Sequence, residues 1–176
     1  MKEINFEVFE TISLDNAKVF VDTYLPSALT VEKKTGLNHI VILAQAALES
    51  AWGLKAVGNN FFGIKWTGKG DKQLITTTEI LWTANAKFPE IISVTKRNDG
   101  KYTYKVKDYF RKYASAEESF ADHALFFQEN KRYTDAWKVR SDINSFIDAI
   151  AKAGYATAPD YATQLKAVVK SITRRL

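Results

Sequence analysis

"LAQAALESAWG", residues 43–53, contains a single charged residue, Glu49, and no other charge falls between Val41 and Trp52. Gly36 marks a helix stop before this stretch, and Asn38 is a good N-cap for a new helix. The helix predicted from there, about 39–51, places Ile40, Ala44, Ala47 and Ala51 on one stripe. Val41, Ile42 and Leu48 cover much of the remaining circumference. A helix that is apolar nearly all round is a buried one, so this segment is the centre of the fold. Glu49 shares a face with Ile42 and Gln45 and sits in the last turn, just before Gly53. The helix dipole and apolar burial both oppose a charge there, and both raise a carboxyl pKa. Such a group is either half of a buried ion pair or an acid that is used. The residues alone leave both readings open.

The chain has 176 residues, enough for one domain with a real core and too few for two. Apolar residues at 46% and charged residues at 26% are ordinary for a globular protein. Aromatics are frequent at 13%; most are expected in the core, and some are suited to line a groove. There is no cysteine, so no disulfide. His39 and His123 form no paired-ligand spacing, so no metal site is expected and both histidines are read as structural. The net charge of +5 favours anionic polymers, but the basic residues look scattered, which argues against a nucleic-acid binder. The first twenty residues lack the apolar core of a signal peptide, and no apolar run is long enough to span a membrane.

Helical patterns occupy both ends. Asp15 is expected to cap a first helix with Ala17, Phe20, Val21 and Tyr24 on one face, interrupted or restarted at Pro26. "SAEE" at 115–118 is a capping box that opens a helix carrying Phe120, Ala124 and Phe127. Another helix runs from about Asp142 to Gly154, and a last one starts at "TAPD" with Pro159 in its first turn. Between Lys72 and Tyr113 the pattern changes. "KQLITTTEILW" and "YTYKVKDYF" are β-branched and aromatic, and "RNDGK" at 97–101 is a hairpin turn. The expectation is one mainly helical α+β domain over 1–176. Its helical core covers about 15–66 and 114–176, and a small antiparallel β-lobe covers about 72–113.

No phosphate-binding glycine loop, no serine elbow and no cysteine nucleophile are present, which leaves carboxylate chemistry. Glu49 and Glu79 are the candidates for the pair that glycoside hydrolysis requires, one protonated to donate to the leaving oxygen and one ionised, although Glu79 taken alone reads more readily as an exposed strand residue. Glu79 lies among threonines on the predicted ribbon, a more hydrated setting. In "NNFFGIK", residues 59–65, one of Phe61 and Phe62 faces the core while the other is free to line a cleft, and Gly63 permits close backbone approach. Tyr155 lies just past a helix end in "AGYATAPDYA", residues 153–162.

"QAALESAWG", "NNFFGIK", "TTTE", "FRKYASAEESFADHALFF" and "AGYATAPDYA" occur in that order. Together they resemble the bacterial glucosaminidase domains of glycoside hydrolase family 73, over roughly Leu37 to Ile172. The resemblance implies a lysozyme-like helical fold with a β-lobe flanking a cleft. It implies hydrolysis of the β-1,4 bond after N-acetylglucosamine in peptidoglycan, without a cofactor. By position, Glu49 is the general acid, Glu79 the second glutamate and Tyr155 the cleft-floor tyrosine. Trp52, Asn60 and Phe62 match cleft-shaping positions, and Tyr161 fits the same pattern. The implied partner is the peptidoglycan glycan strand, met at the cell wall or periplasm by a monomer. The export route is left open. The competing readings are a lysozyme-like muramidase or lytic transglycosylase, and a non-catalytic wall-binding module.

Overall fold

The structure is a computed structural model that describes residues 14–176. The residues before Leu14, most of the stretch read for a signal peptide, lie outside the described residues. The chain divides into two compact units, one ending at Phe62 and resuming at Tyr113, the other spanning Gly63–Lys112. Residues 63–66, expected with the helices, belong to the β unit, and Tyr113, expected with the sheet, belongs to the helical one. The backbone of 63–66 is tied to the β unit: Arg111 N–H donates to the Ile64 carbonyl at 2.9 Å, and Trp66 N–H to the Tyr109 carbonyl at 3.0 Å.

The helical unit contains α1 (Leu14–Thr35), α2 (His39–Ser50), α3 (Ala116–Glu129), α4 (Thr134–Lys138), α5 (Ile143–Lys152) and α6 (Tyr161–Thr173). α1 is already formed at Leu14, so Asp15 lies within it rather than capping it. Pro26 does not interrupt it either. Pro26 is exposed, and the carbonyl it leaves unbonded, that of Asp22, is on the solvent side where water can serve it. The buried face is the expected one, with Ala17, Phe20 and Val21 in the core. Gly36 closes α1 at φ 76°, its N–H bonded to the Glu32 carbonyl at 2.7 Å.

α2 packs against α1, α5 and α6. Asn38 caps it by accepting from Ile40 N–H at 2.9 Å. Residues 41–48 and 50 are all buried, and Glu49 is half-buried. The small residues at 44, 46 and 47 let the neighbouring helices approach closely. α3 begins as read: Ser115 Oγ accepts from Glu118 N–H at 3.2 Å. Glu118 reaches back to Ala114 N–H at 3.0 Å, one residue earlier than in the standard box. Asp142 caps α5 by accepting from Ser145 N–H at 2.8 Å. Pro159 is not in the first turn of α6; it lies in the turn that precedes it, where its fixed φ suits the approach to the helix.

The β unit is a three-stranded antiparallel sheet in the order β1-β3-β2. β1 is Lys72–Leu81, β2 Glu90–Lys96 and β3 Tyr102–Arg111. β2 was not foreseen. Its residues are exposed throughout and a register shift falls between Ile91 and Ser93, so it shows no clean alternation. The "RNDGK" hairpin is present, with Arg97 N–H bonded to the Lys101 carbonyl at 2.8 Å and Gly100 at φ 83°, a conformation costly for residues with a Cβ. Glu79 pairs with Tyr104 across the ladder, and Thr77 with Val106. These odd-numbered positions of β1 face the covered side.

Candidate active site

The helical unit links Gln45, Tyr161, Tyr155, His123 and Phe62 in one chain of contacts, and the charge of Glu49 acts on its two tyrosines. Glu49 ends α2, in its last turn. Beyond it the backbone turns sharply, with Ala51 at φ 51° and Trp52 at φ 56° ahead of Gly53 at φ 85°. Left-handed conformations cost non-glycine residues about 1–2 kcal/mol each. The turn is held by Trp52 N–H to the Ala47 carbonyl at 2.8 Å and by Gly53 N–H to Ser50 Oγ at 2.8 Å. Trp52 is only 8% exposed, edge-on to Phe20 at 5.6 Å. It therefore anchors this turn from within the core.

One helical turn before Glu49, Gln45 is fully buried and donates through Nε2 to the Tyr161 hydroxyl at 3.1 Å. The face expected to bury Glu49 thus passes from buried at Gln45 to half-buried at Glu49, because the helix is ending there. Tyr161 opens α6 and is buried, its ring 5.4 Å from that of Tyr155. Tyr155 follows Gly154, whose φ is 79°, and its N–H bonds the Ile150 carbonyl at 3.0 Å, which pins the phenol to the end of α5. Burial first, then Tyr161 and the carboxylate of Glu49, hold the Tyr155 phenol well above its ordinary pKa. Burial first and Glu49 next also raise Tyr161, against the bond from Gln45. The charge of Glu49 is thus felt by both tyrosines, and both stay protonated.

The chain continues past Tyr155. Its hydroxyl lies 3.4 Å from His123 Nε2. The His123 ring stacks on Phe62 at 3.7 Å and 9°, and lies edge-on to Phe127 at 4.8 Å. His123 is 3% exposed, and burial lowers its pKa from 6.5 to about 3, so the imidazole is neutral. Its Nδ1 is buried with no hydrogen-bond partner. Phe61 goes to the core and Phe62 is half-buried, the division expected of the pair. Asn60 is buried and its N–H bonds the Val57 carbonyl at 3.2 Å.

Glu79 belongs to the β unit. It is half-buried rather than well hydrated, and its carboxylate pairs with Lys65 Nζ at 2.8 Å. The same ammonium pairs with Asp108 at 2.7 Å. Burial lowers the Lys65 pKa, but the bonds to Asp108 and Glu79 outweigh it and the net shift is upward. Lys65 is brought there by its bridge to Phe110 at the head of the sheet.

Gln45, His123 and Lys65 were not read as site residues. Gln45 left a trace, as the other polar group in an apolar helix, one turn from Glu49. His123 was read as structural, and it is buried, but nothing local shows that its ring meets Tyr155. Among the described residues no cluster of three or more His, Cys, Asp or Glu could hold a metal ion. No helix among them is long and apolar enough to cross a membrane.

A helical unit built round a buried central helix, with a small three-stranded antiparallel sheet as the second unit, is the architecture of a lysozyme-like domain. The sequence profile of the glucosaminidase family, described as mannosyl-glycoprotein endo-β-N-acetylglucosaminidase, matches residues 25–174. The chain belongs to this family of glycoside hydrolases. It is 34% identical over 168 residues to the peptidoglycan hydrolase FlgJ of Vibrio parahaemolyticus, covering 90% of this chain and 48% of that protein. It is 31% identical over 168 residues to the exo-glucosaminidase LytG of Bacillus subtilis, covering 92% and 53%. The chain thus spans about half the length of these curated relatives. A crystal structure of a peptidoglycan hydrolase mutant from Sphingomonas sp. A1 superposes with a TM-score of 0.64 at 27% identity, over 90% of this chain and 97% of that one.

Proposed function

We propose that this chain hydrolyses the β-1,4 bond between N-acetylglucosamine and N-acetylmuramic acid in peptidoglycan, as a monomeric endo-β-N-acetylglucosaminidase acting at the bacterial wall. The observation that carries this reading is the placement of Glu49 at the end of the buried helix, with its charge felt by the phenol of Tyr155. In the reaction, Glu49 donates a proton to the leaving oxygen. The helix C-terminus disfavours a charge at that position, which suits a donor. Glu79, beside the ammonium of Lys65, acts as the ionised carboxylate that activates water. Tyr155 stays protonated and offers a hydroxyl to the N-acetyl group or to charge developing at the anomeric carbon. Phe62 shapes the surface that the sugar meets, and the buried Asn60 supports it from the turn before. Trp52 and Tyr161 act from beneath, Trp52 by fixing the strained turn after Glu49 and Tyr161 by linking Gln45 to Tyr155. No step calls for a cofactor.

The test is chemical. Purified peptidoglycan is digested, the new ends are reduced with borohydride, and the reduced sugar is identified by mass spectrometry. Reduced N-acetylglucosamine is expected. Reduced muramic acid would make the protein a muramidase, and anhydro ends a lytic transglycosylase. No new ends from a folded protein that still binds the wall would leave a binding module. The size of the products separates internal cleavage from release of terminal sugars.

A further inference from the structure

The charge of the chain is divided unequally between its units. Residues 63–112 hold eleven of the 25 lysines and arginines and five of the 20 acids, so this unit carries +6 and the rest of the chain −1. The net positive charge of the chain therefore lies in these fifty residues, although fourteen of its basic residues lie outside them. The pleat sorts them again. Lys72 pairs with Arg111, Leu74 with Tyr109, Thr76 with Lys107 and Thr78 with Lys105, which puts four cations on one face. Glu90, opposite Lys107 and bonded to it at 2.8 Å, is the acid at a strand position of that face. On the other face Glu79 and Asp108 are balanced by Lys65 and Lys96. Lys105 and Lys107 repeat along β3 at roughly 6.6 Å, with Tyr109 and Arg111 continuing the row. Two rings lie among these cations: Lys72 Nζ is 4.4 Å from the centroid of Trp66 and 4.1 Å from that of Tyr109.

We propose that this sheet face is a second binding surface for peptidoglycan, holding the strand through the carboxylates of its peptides while Trp66 and Tyr109 lie against its sugars. The inference rests on the reading of peptidoglycan as substrate. Cations interleaved with rings suit a polymer of sugars and carboxylates better than a bare phosphodiester chain, which offers no apolar sugar face. Such a surface retains the enzyme on the wall between cleavage events.

The experiment uses the full chain carrying Glu49→Gln, so that the polymer stays intact, and follows co-sedimentation with purified peptidoglycan. Lys105→Glu with Lys107→Glu is expected to weaken binding about tenfold or more. Lys131→Glu with Arg132→Glu, the same charge change on the helical unit, is expected to leave it unchanged. The milder Lys105→Gln with Lys107→Gln variant guards against misfolding and is expected to lose affinity in the same direction. Amidating the peptide carboxylates of the polymer with carbodiimide should abolish the difference between the variants and the parent. Equal losses in the sheet and helix variants, no loss in the sheet variants, or a difference between parent and sheet variants that survives amidation would each overturn the proposal. Binding that disappears when phosphate polymers are acid-extracted, or that is displaced by DNA as readily as by soluble peptidoglycan, would overturn it too. With Glu49 restored, the sheet variants should cleave a short peptide-free glycan at the parental rate. Absence of cleavage by the parent itself would count against the proposed activity and leave the sedimentation result standing.

Discussion

At the scale of single residues, Glu49 and Lys65 test the proposed chemistry and His123 tests what holds the site together. Glu49→Gln keeps the shape and removes the proton donor, so turnover on peptidoglycan should fall by at least about a hundredfold with the circular dichroism spectrum unchanged. Near-parental turnover would remove Glu49 from the role of acid. Lys65 is shared by Glu79 and Asp108, and without it two carboxylates lose their common partner. Lys65→Met should lower kcat about tenfold or more through a misplaced Glu79, with KM little affected. A loss confined to KM would instead place Lys65 in binding. His123 titrates in the unfolded chain near 6.5 and in the folded protein near 3. Its folded pKa is depressed, so its contribution to stability is complete above 6.5 and is lost as pH falls toward 3. Between pH 6.5 and about pH 4 the loss amounts to about 3 kcal/mol. Thermal melts over that range should show a steeper fall for the parent than for His123→Phe.

At the scale of elements, the local signals of the sequence are the ones the structure follows most closely. Ser115, Asn38 and Asp142 all cap the helices they precede, because a side-chain oxygen two or three residues before a free N–H needs only local geometry. Ser115→Ala should destabilise the fold by about 1 kcal/mol, read as a shift in denaturant midpoint, without changing kcat. The elements that departed from expectation did so through solvent and packing. Pro26 sits inside α1 because its side of the helix is exposed. β2 escaped notice because an exposed edge strand with a bulge has no alternation to read.

At the scale of the whole molecule, α2 organises the helical unit, and its alanines set how closely α1, α5 and α6 approach. Ala44→Leu would force a larger side chain into a filled space and should cost about 1–3 kcal/mol, measured by chemical denaturation. By itself the sequence determined the five longer helices, the caps at Asn38, Ser115 and Asp142, the "RNDGK" hairpin, the buried character of α2, and the ordered motifs that mark a glucosaminidase. Each of these is written in neighbouring residues, in capping oxygens, periodicity and glycine turns. Only the tertiary structure decided that Phe62, His123, Tyr155, Tyr161 and Gln45 form one chain of contacts and that the charge of Glu49 acts on its tyrosines. It also decided that Lys65 holds both Glu79 and Asp108, and that four cations share a face of the sheet. These pairings join positions up to 116 residues apart or depend on strand register. Packing and pleat create them, and Gln45, a polar group in an apolar helix, is the trace they leave in local sequence.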